Sequence, residues 1–475
     1  MKYSYNPKGG RPGAGKPGTG KTGAGKSRPG SSAPHFAGMI QAAEQMVQRG
    51  NWPQAETLAR QALRDVPGHP GAIGILGILA VERDDFPSGL ELLQEALAAG
   101  YRSATAYRYL GYALKQLGQV DKALEANRKG LELDPRDAAL ANNMASALMV
   151  KARWKEAEDW ARKSLELQPD FPDARLNLGL LRLQAGDFEA GWEGYDARWD
   201  LPGFKRPPFQ RPLWGGSPSR GKHLMLYPDQ GLGDTLMFAR YVPRVAAMDL
   251  AVHLLLPPEL VGLLGTLEGA VSVHAYGEEL PEFDLHTSLP SLPRLLKTRL
   301  DSIPWPGPYL RAPATVPHRA ELDRLLASGE GRKRVGLVWQ GNPKHRHDAL
   351  RSLPPELLRP LGGIPGLAWF GLQVGGNGDA PIEGLVDLSP HLGDFADTAH
   401  ALESLDILVS VDTAAAHLAG AMGRPVLLLL HQNSDWRWLL DREDSPWYPG
   451  HRLLRQAKYG DWSAPISRAA GILQA

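Results

Sequence analysis

Between about residues 35 and 200 the chain repeats itself every 34 residues, in five units, without one insertion. Small residues return at Ala43, Gly77, Gly111, Ala145 and Gly179, and again at Ala55, Gly89, Ala123, Ala157 and Gly191. Bulky ones return at Trp52, Phe86, Val120, Trp154 and Phe188. That order fits stacked helix pairs, because two backbones approach closely only where side chains are small, and each turn then needs a large group to fill the gap beside it. Pro67, Pro135 and Pro169 close their repeats before the next helix begins, since proline cannot continue a helix from within. A chain with this pattern is committed to an α-solenoid over that stretch.

Such an array curves into a superhelix with a concave wall, and nothing in it suggests chemistry. Asn142 and Asn143, with Asn177 falling 34 or 35 residues later, are candidates for that wall, where their amides would bond the backbone of an extended peptide. The plain alternative is three solvated helix positions. Either way the array is expected to be a recruiting surface.

Composition removes several other classes. The 475 residues are 43% hydrophobic, which suits two or three globular domains. No run approaches the roughly 18 apolar residues of a membrane span, and the basic N-terminus lacks the apolar stretch of a signal peptide. With no cysteine there are no disulfides, thiol catalysis or Cys-based zinc sites, and the chain is expected to be cytoplasmic without integral membrane association. Residues 1–34 carry seven Lys or Arg and no acid, so a chain of net charge +1 has a mildly acidic body, which argues against a nucleic-acid partner. Inside that tail, Gly15 to Thr22 and Gly20 to Ser27 both fit a phosphate-binding loop. The motif works only after a buried strand, and none precedes it, so residues 1–34 are read as a disordered Gly/Lys/Pro-rich tail.

Beyond Trp199 the repeat stops, and 201–221 is a Pro-rich linker. The chain then alternates strands and helices, which needs a parallel sheet. A first half, 222–315, opens with the strand Lys222 to Tyr227 and the loop Pro228-Asp229-Gln230-Gly231-Leu232-Gly233-Asp234. Gly231 and Gly233 permit a tight bend and close backbone approach, and Asp234 begins a helix as its N-cap or as a functional carboxylate. A second half, 330–475, opens with Arg334 to Trp339 and the loop Gln340-Gly341-Asn342-Pro343-Lys344-His345-Arg346-His347, followed by Arg351. So basic a loop after a buried strand suits a diphosphate. Its two histidines lack a third ligand, so no metal is expected. Later, Ile407 to Val409, Val411-Asp412-Thr413-Ala414-Ala415-Ala416-His417 and Val426 to Leu430 make a strand–helix–strand unit. Its loop lies where open parallel sheets bind ligands, at a helix start that attracts phosphate. His417 either reaches that loop or packs within its helix. Trp436, Arg437 and Trp438, after the next strand, flank a base or sugar or belong to the core.

The repeats resemble the tetratricopeptide repeat, whose 34-residue period and small–large–small pattern they match. The Gly231-Leu232-Gly233-Asp234 opening, the Val335 to Asn342 opening and the Asp412-Thr413-x-x-x-His417 segment look like GT-B glycosyltransferases related to the heptosyltransferases. The whole of 35–475 is similar to bacterial tetratricopeptide glycosyltransferases, which include flagellin glycosyltransferases. The resemblance implies two Rossmann-like halves and metal-independent transfer, without cofactor, from a nucleotide-sugar donor to an acceptor, a protein hydroxyl recruited by the repeats. It makes Asp234 the general base, and Gly231, Gly233, Gln340, Asn342, Lys344, Arg351, Asp412, Thr413 and His417 the donor site. Asn142, Asn143 and Asn177 would line the acceptor-peptide groove. No two aspartates stand two positions apart, so the Asp-x-Asp cation site of the other main glycosyltransferase fold is lacking. The alternatives are a repeat adaptor with a degenerate core, and transfer to a surface saccharide.

Overall fold

A computed structural model describes residues 32–305, 307–343, 348–375 and 381–475. The expected tail, save its last three residues, lies outside them, as does Lys344. Ten helices follow one another at the start: α1 Ser32–Gln48, α2 Trp52–Asp65, α3 Pro70–Glu82, α4 Phe86–Ala98, α5 Ala104–Gln116, α6 Val120–Leu133, α7 Ala138–Val150, α8 Trp154–Leu167, α9 Pro172–Gln184 and α10 Phe188–Tyr195. Asn51, Asp85, Ser103, Asp137 and Asp187 cap five of them by accepting a backbone N–H of the first turn, which satisfies one of the donors a helix start leaves open. Each sits directly before its helix, so the 34-residue register fixes the turns as well as the core.

The small positions are small for the reason inferred. A Cβ on Gly77 would lie 2.8 Å from Cγ of Leu93 and 3.0 Å from its backbone nitrogen, and one on Gly191 would lie 2.8 Å from Cγ of Leu183 and 2.9 Å from its backbone nitrogen. Ala55, Ala123, Ala145 and Ala157 are wholly buried.

The described residues divide into two compact units, one running up to residue 181 and including 197–205, the other made of 182–196 and the residues from 206 onward. The array expected over 35–200 is therefore shared, and α10 is part of the second unit. Its aromatic face explains why: Phe188 stacks on Trp447 at 5.7 Å, the Trp192 indole donates to the carbonyl of Thr298 at 3.0 Å, and Trp192 meets Trp436 edge-on at 5.2 Å. The proline-rich segment is also no free linker. Trp214 is buried, its N–H donates to the carbonyl of His286, and the N–H of His286 donates to that of Pro212.

The second unit holds two parallel sheets. The first is built from β1 Lys222–Tyr227, β2 Leu250–Leu256, β3 Ala270–Ala275 and β4 Leu285–Ser288, in the order β3-β2-β1-β4. The second is built from β5 Lys333–Val338, β6 Leu367–Gly371, β7 Val386–Asp387, β8 Ile407–Val411, β9 Val426–Leu430 and β10 His451–Arg455, in the order β10-β9-β8-β5-β6-β7. Every pairing is parallel. Counted along the chain, the second sheet runs 3-2-1-4-5-6 from one edge, the doubly wound order whose direction reverses between its first and fourth strands. Strands β8 and β9 are buried almost throughout, as strands covered on both faces must be. After β1 comes α11 Leu232–Phe238, and after β8 comes α12 Ala414–Ala421.

Gly77→Val is expected to destabilise the repeats by about 1–3 kcal/mol, because the added atoms meet a backbone nitrogen that cannot step aside. A urea titration followed by circular dichroism measures it, and an unchanged midpoint would contradict the close approach.

Candidate functional site

Helices α11 and α12 each start where a strand ends, and their starts touch. A Cβ on Gly233 would lie 2.8 Å from Cδ2 of His417 and 3.4 Å from Cα of Ala414, so only glycine lets the turn after β1 reach the turn after β8. The carboxyl ends of the two sheets thus face each other, where doubly wound folds bind ligands.

Asp234 is the third residue of α11, not its cap. Its Oδ2 accepts the N–H of Gly231 at 3.0 Å, and its Oδ1 accepts from the Arg437 guanidinium. Burial pushes its carboxyl up from the ordinary range, while Arg437 pulls it back. Arg437, 7% exposed, also pairs with Asp435 and lies 4.5 Å over the Trp436 ring. Burial disfavours its charge, yet Asp234 and Asp435 hold its pKa above the usual value.

On the facing side, Thr413 precedes α12 without a side-chain cap to the helix N–H groups, its hydroxyl instead 3.1 Å from that of Ser410. Asp412 accepts from the Trp438 indole at 3.0 Å, and its other oxygen is 3.7 Å from Nε2 of His417. His417 stacks on Trp438 at 5.3 Å and shares a hydrogen bond of 3.1 Å with the Tyr448 hydroxyl. Asp412 and His417 therefore brace one another's surroundings within an aromatic frame. Burial drives the His417 pKa down to about 3, with Arg437 adding to the effect, so the ring is neutral near pH 7. His451, between Tyr448 at 4.8 Å and Trp438 at 5.9 Å, is likewise pushed down to about 3 by burial.

The loop after β5 is pinned by side chains. Gln373 accepts the N–H groups of Trp339 and Gln340 at 3.1 and 2.9 Å, and Asp348 accepts from Arg351 at 3.0 Å and from Ser352 at 2.8 Å. Asn342 is exposed on this loop. Arg351 is near enough to act on the charge of both His417 and His431. The structure thus gathers Gly231, Gly233, Asp234, Arg351, Asp412, Thr413 and His417 at the facing carboxyl ends, with Gln340 and Asn342 on the loop after β5. In the repeats, Asn142 and Asn177 are each 7% exposed and bonded to each other at 2.8 Å, while Asn143 donates to the carbonyl of Arg108 at 3.3 Å. These amides tie successive repeats together, a role that neither sequence reading gave them.

Sequence reasoning passed over His431, Asp435, Tyr448 and Arg455. His431 follows β9 directly and was within reach of the rule that places ligands after strand ends. Arg455 ends β10 and fixes the loop over 434–442 by donating to Ser434 and to the carbonyls of Trp438 and Arg442; burial draws its pKa down to about 10. Tyr448 carried no local signal. A separate depression, lined by Arg211, His223, His253, Glu282 and Asp284, lies by the starts of β1 and β4. Among the described residues, no group of three or more His, Asp or Glu is placed to hold a metal ion, and no helix is long and apolar enough to cross a membrane.

Residues 76–138 match the tetratricopeptide repeat family. The chain is 27% identical over 488 aligned positions to Protein FlbA of Caulobacter vibrioides, covering 87% of this chain and 80% of that protein. It is 26% identical over 146 positions to tetratricopeptide repeat-containing protein trd-1 of Caenorhabditis elegans, covering 31% of this chain and 18% of that one. Among solved structures it is similar to YrrB, described as a tetratricopeptide repeat protein with an unusual peptide-binding site, at 22% identity and a TM-score of 0.28 over 34% of this chain and 84% of that one. The chain thus carries tetratricopeptide repeats, a protein-interaction module, followed by a parallel-sheet α/β region.

Acid is expected to destabilise the protein through His417 and His451. Their folded pKa lies below the unfolded value of about 6.5, so the stabilisation is complete above that pH and is lost as pH falls towards 3, by roughly 1.4 kcal/mol per unit for each ring. Urea midpoints between pH 7 and 5 should show this, and His451→Phe, which keeps the stacking, should flatten the profile. An equally steep profile in that variant would remove His451 from the effect.

Proposed function

We propose that this chain is a glycosyltransferase of the GT-B type that moves a sugar from a nucleotide-sugar to a protein hydroxyl, with its repeats recruiting the acceptor. The observation that carries the proposal is the meeting of two parallel sheets at their carboxyl ends, with the half-buried carboxylate of Asp234 on one side and the uncapped start of α12 on the other. A helix start without a cap offers N–H groups and a partial positive charge to phosphate. Arg351, and Lys344 from outside the described residues, would add cationic charge as the diphosphate departs.

The chemistry asked of these groups is one displacement. The acceptor oxygen forms a bond to the anomeric carbon, the bond from that carbon to the phosphate oxygen breaks, and the electron pair leaves with the nucleoside diphosphate. The acceptor proton passes to Asp234, whose burial favours proton uptake. Asp412 and His417 position Thr413 and the start of α12, and the neutral His417 adds no charge of its own.

One observation favours a binding-only core: the carboxylates of Asp234 and Asp412 are both engaged by neighbours from the same unit. Turnover separates the readings. A panel of nucleotide sugars and nucleoside diphosphates should include one that raises the unfolding temperature, since a ligand at about 100 times its dissociation constant adds roughly 2.7 kcal/mol. With that donor, Asp234→Asn should cut transfer by a factor on the order of 10² to 10⁴. Near-normal turnover would remove Asp234 from the role, and binding without turnover in any protein would favour the adaptor.

Removal of residues 1–181, which leaves α10 in place, should abolish transfer to protein while sparing the donor-induced thermal shift. Undiminished transfer would detach the repeats from acceptor choice.

A further inference from the structure

Both oxygens of Asp234 are engaged in this structure. One oxygen holds the Gly231 N–H at the start of α11, and the other holds Arg437. The Gly231 amide belongs to the helix start and stays where the backbone puts it. Arg437 is the partner that can be drawn away: it is a side chain, it is shared between Asp234 and Asp435, and its Nε is buried with no acceptor among the described residues. A guanidinium at 7% exposure with an unsatisfied N–H is unusual, because such a donor ordinarily finds an acceptor.

A diphosphate supplies what the two carboxylates do not. It has more charge than either, and its oxygens can face the guanidinium fork in pairs, the geometry for which arginine is best suited. We infer that the Asp234–Arg437 pair is a latch that the donor's diphosphate opens, its oxygens taking over the guanidinium N–H groups and leaving Asp234 as the unmasked base. The inference rests on the glycosyl-transfer reading and adds to it an order of events, with donor binding before the acceptor proton can move. Once Arg437 turns to phosphate, the larger of the two influences that oppose burial at Asp234 is withdrawn and the Gly231 N–H alone still holds its pKa down, so the base strengthens as the donor arrives.

The latch makes a prediction whose sign is opposite to that of an ordinary site residue. If Asp234 competes with phosphate for Arg437, removing its charge tightens diphosphate binding. Isothermal titration of the full chain with UDP, GDP, ADP and inorganic pyrophosphate should find a ligand that Asp234→Asn binds about tenfold more tightly than the native protein, the low end of the coupling between close desolvated charges. Arg437→Gln should bind the same ligand more weakly. Asp234→Ser, whose hydroxyl can still accept the Gly231 N–H, repeats the comparison should the asparagine variant not fold. Equal or weaker binding by a folded Asp234 variant overturns the latch and leaves the transferase reading intact. Failure of every diphosphate to bind both the native protein and these variants overturns the reading and the latch with it.

Discussion

The contact between Gly233 and the start of α12 is the constraint on which the site depends. Without a side chain at that position the turn after β1 comes within van der Waals reach of Ala414 and His417, and the next residue, Asp234, is thereby delivered to Arg437. The far end of α11 is held as firmly. Arg240, 1% exposed, donates to the carbonyls of Met237 and Trp447 at 2.8 Å each, and its guanidinium lies 4.7 Å from the Tyr448 ring centroid and 5.2 Å from that of Tyr309. A buried cation is costly unless its N–H groups are satisfied, and here carbonyl oxygens from both halves, with aromatic faces, do so. Helix α11 is thus fixed at both ends, and the two sheets are joined along it.

The same aromatic frame sets the electrostatics. Trp438, Tyr448 and His451 enclose His417 and keep its ring buried, so the histidine is neutral, and among the described residues the charges at the meeting point are those of carboxylates and guanidiniums. A neutral imidazole beside Asp412 cannot form an ion pair with it, which leaves the indole N–H of Trp438 as the donor that orients that carboxylate.

What the sequence made legible was whatever depends on neighbours along the chain. The 34-residue period located the close approaches at Gly77 and Gly191, and the strands Lys222–Tyr227 and Val426–Leu430 stand where their apolar runs placed them. Asp234, Arg351 and Asp412 were singled out because they follow strands. What was not legible depends on partners far away. Arg437 meets Asp234 across 203 residues and Arg240 meets Trp447 across 207, and no local pattern distinguishes an arginine bound for an aromatic cage from one bound for solvent. Residues 201–221 read as a linker because proline and glycine punctuate chains, yet the hydrogen bonds between Pro212, Trp214 and His286 give that segment a place beside β4.

The end of the repeats follows from the same physics. A solenoid leaves the outer face of its last helix uncovered unless that helix is polar or something packs on it. Helix α10 is not polar on that face: Phe188, Trp192 and Tyr195 are all buried, against Phe238, Trp436 and Trp447. The helix that completes the 34-residue pattern therefore completes the core of the second unit as well. Trp436, which Trp192 and Tyr195 both contact edge-on, is the ring over which the Arg437 guanidinium lies. A substitution in α10 accordingly reaches the Asp234–Arg437 pair through Trp436 or directly from Tyr195, which acts on the Arg437 charge, and the last helix of the interaction module is part of the structure that holds the candidate site.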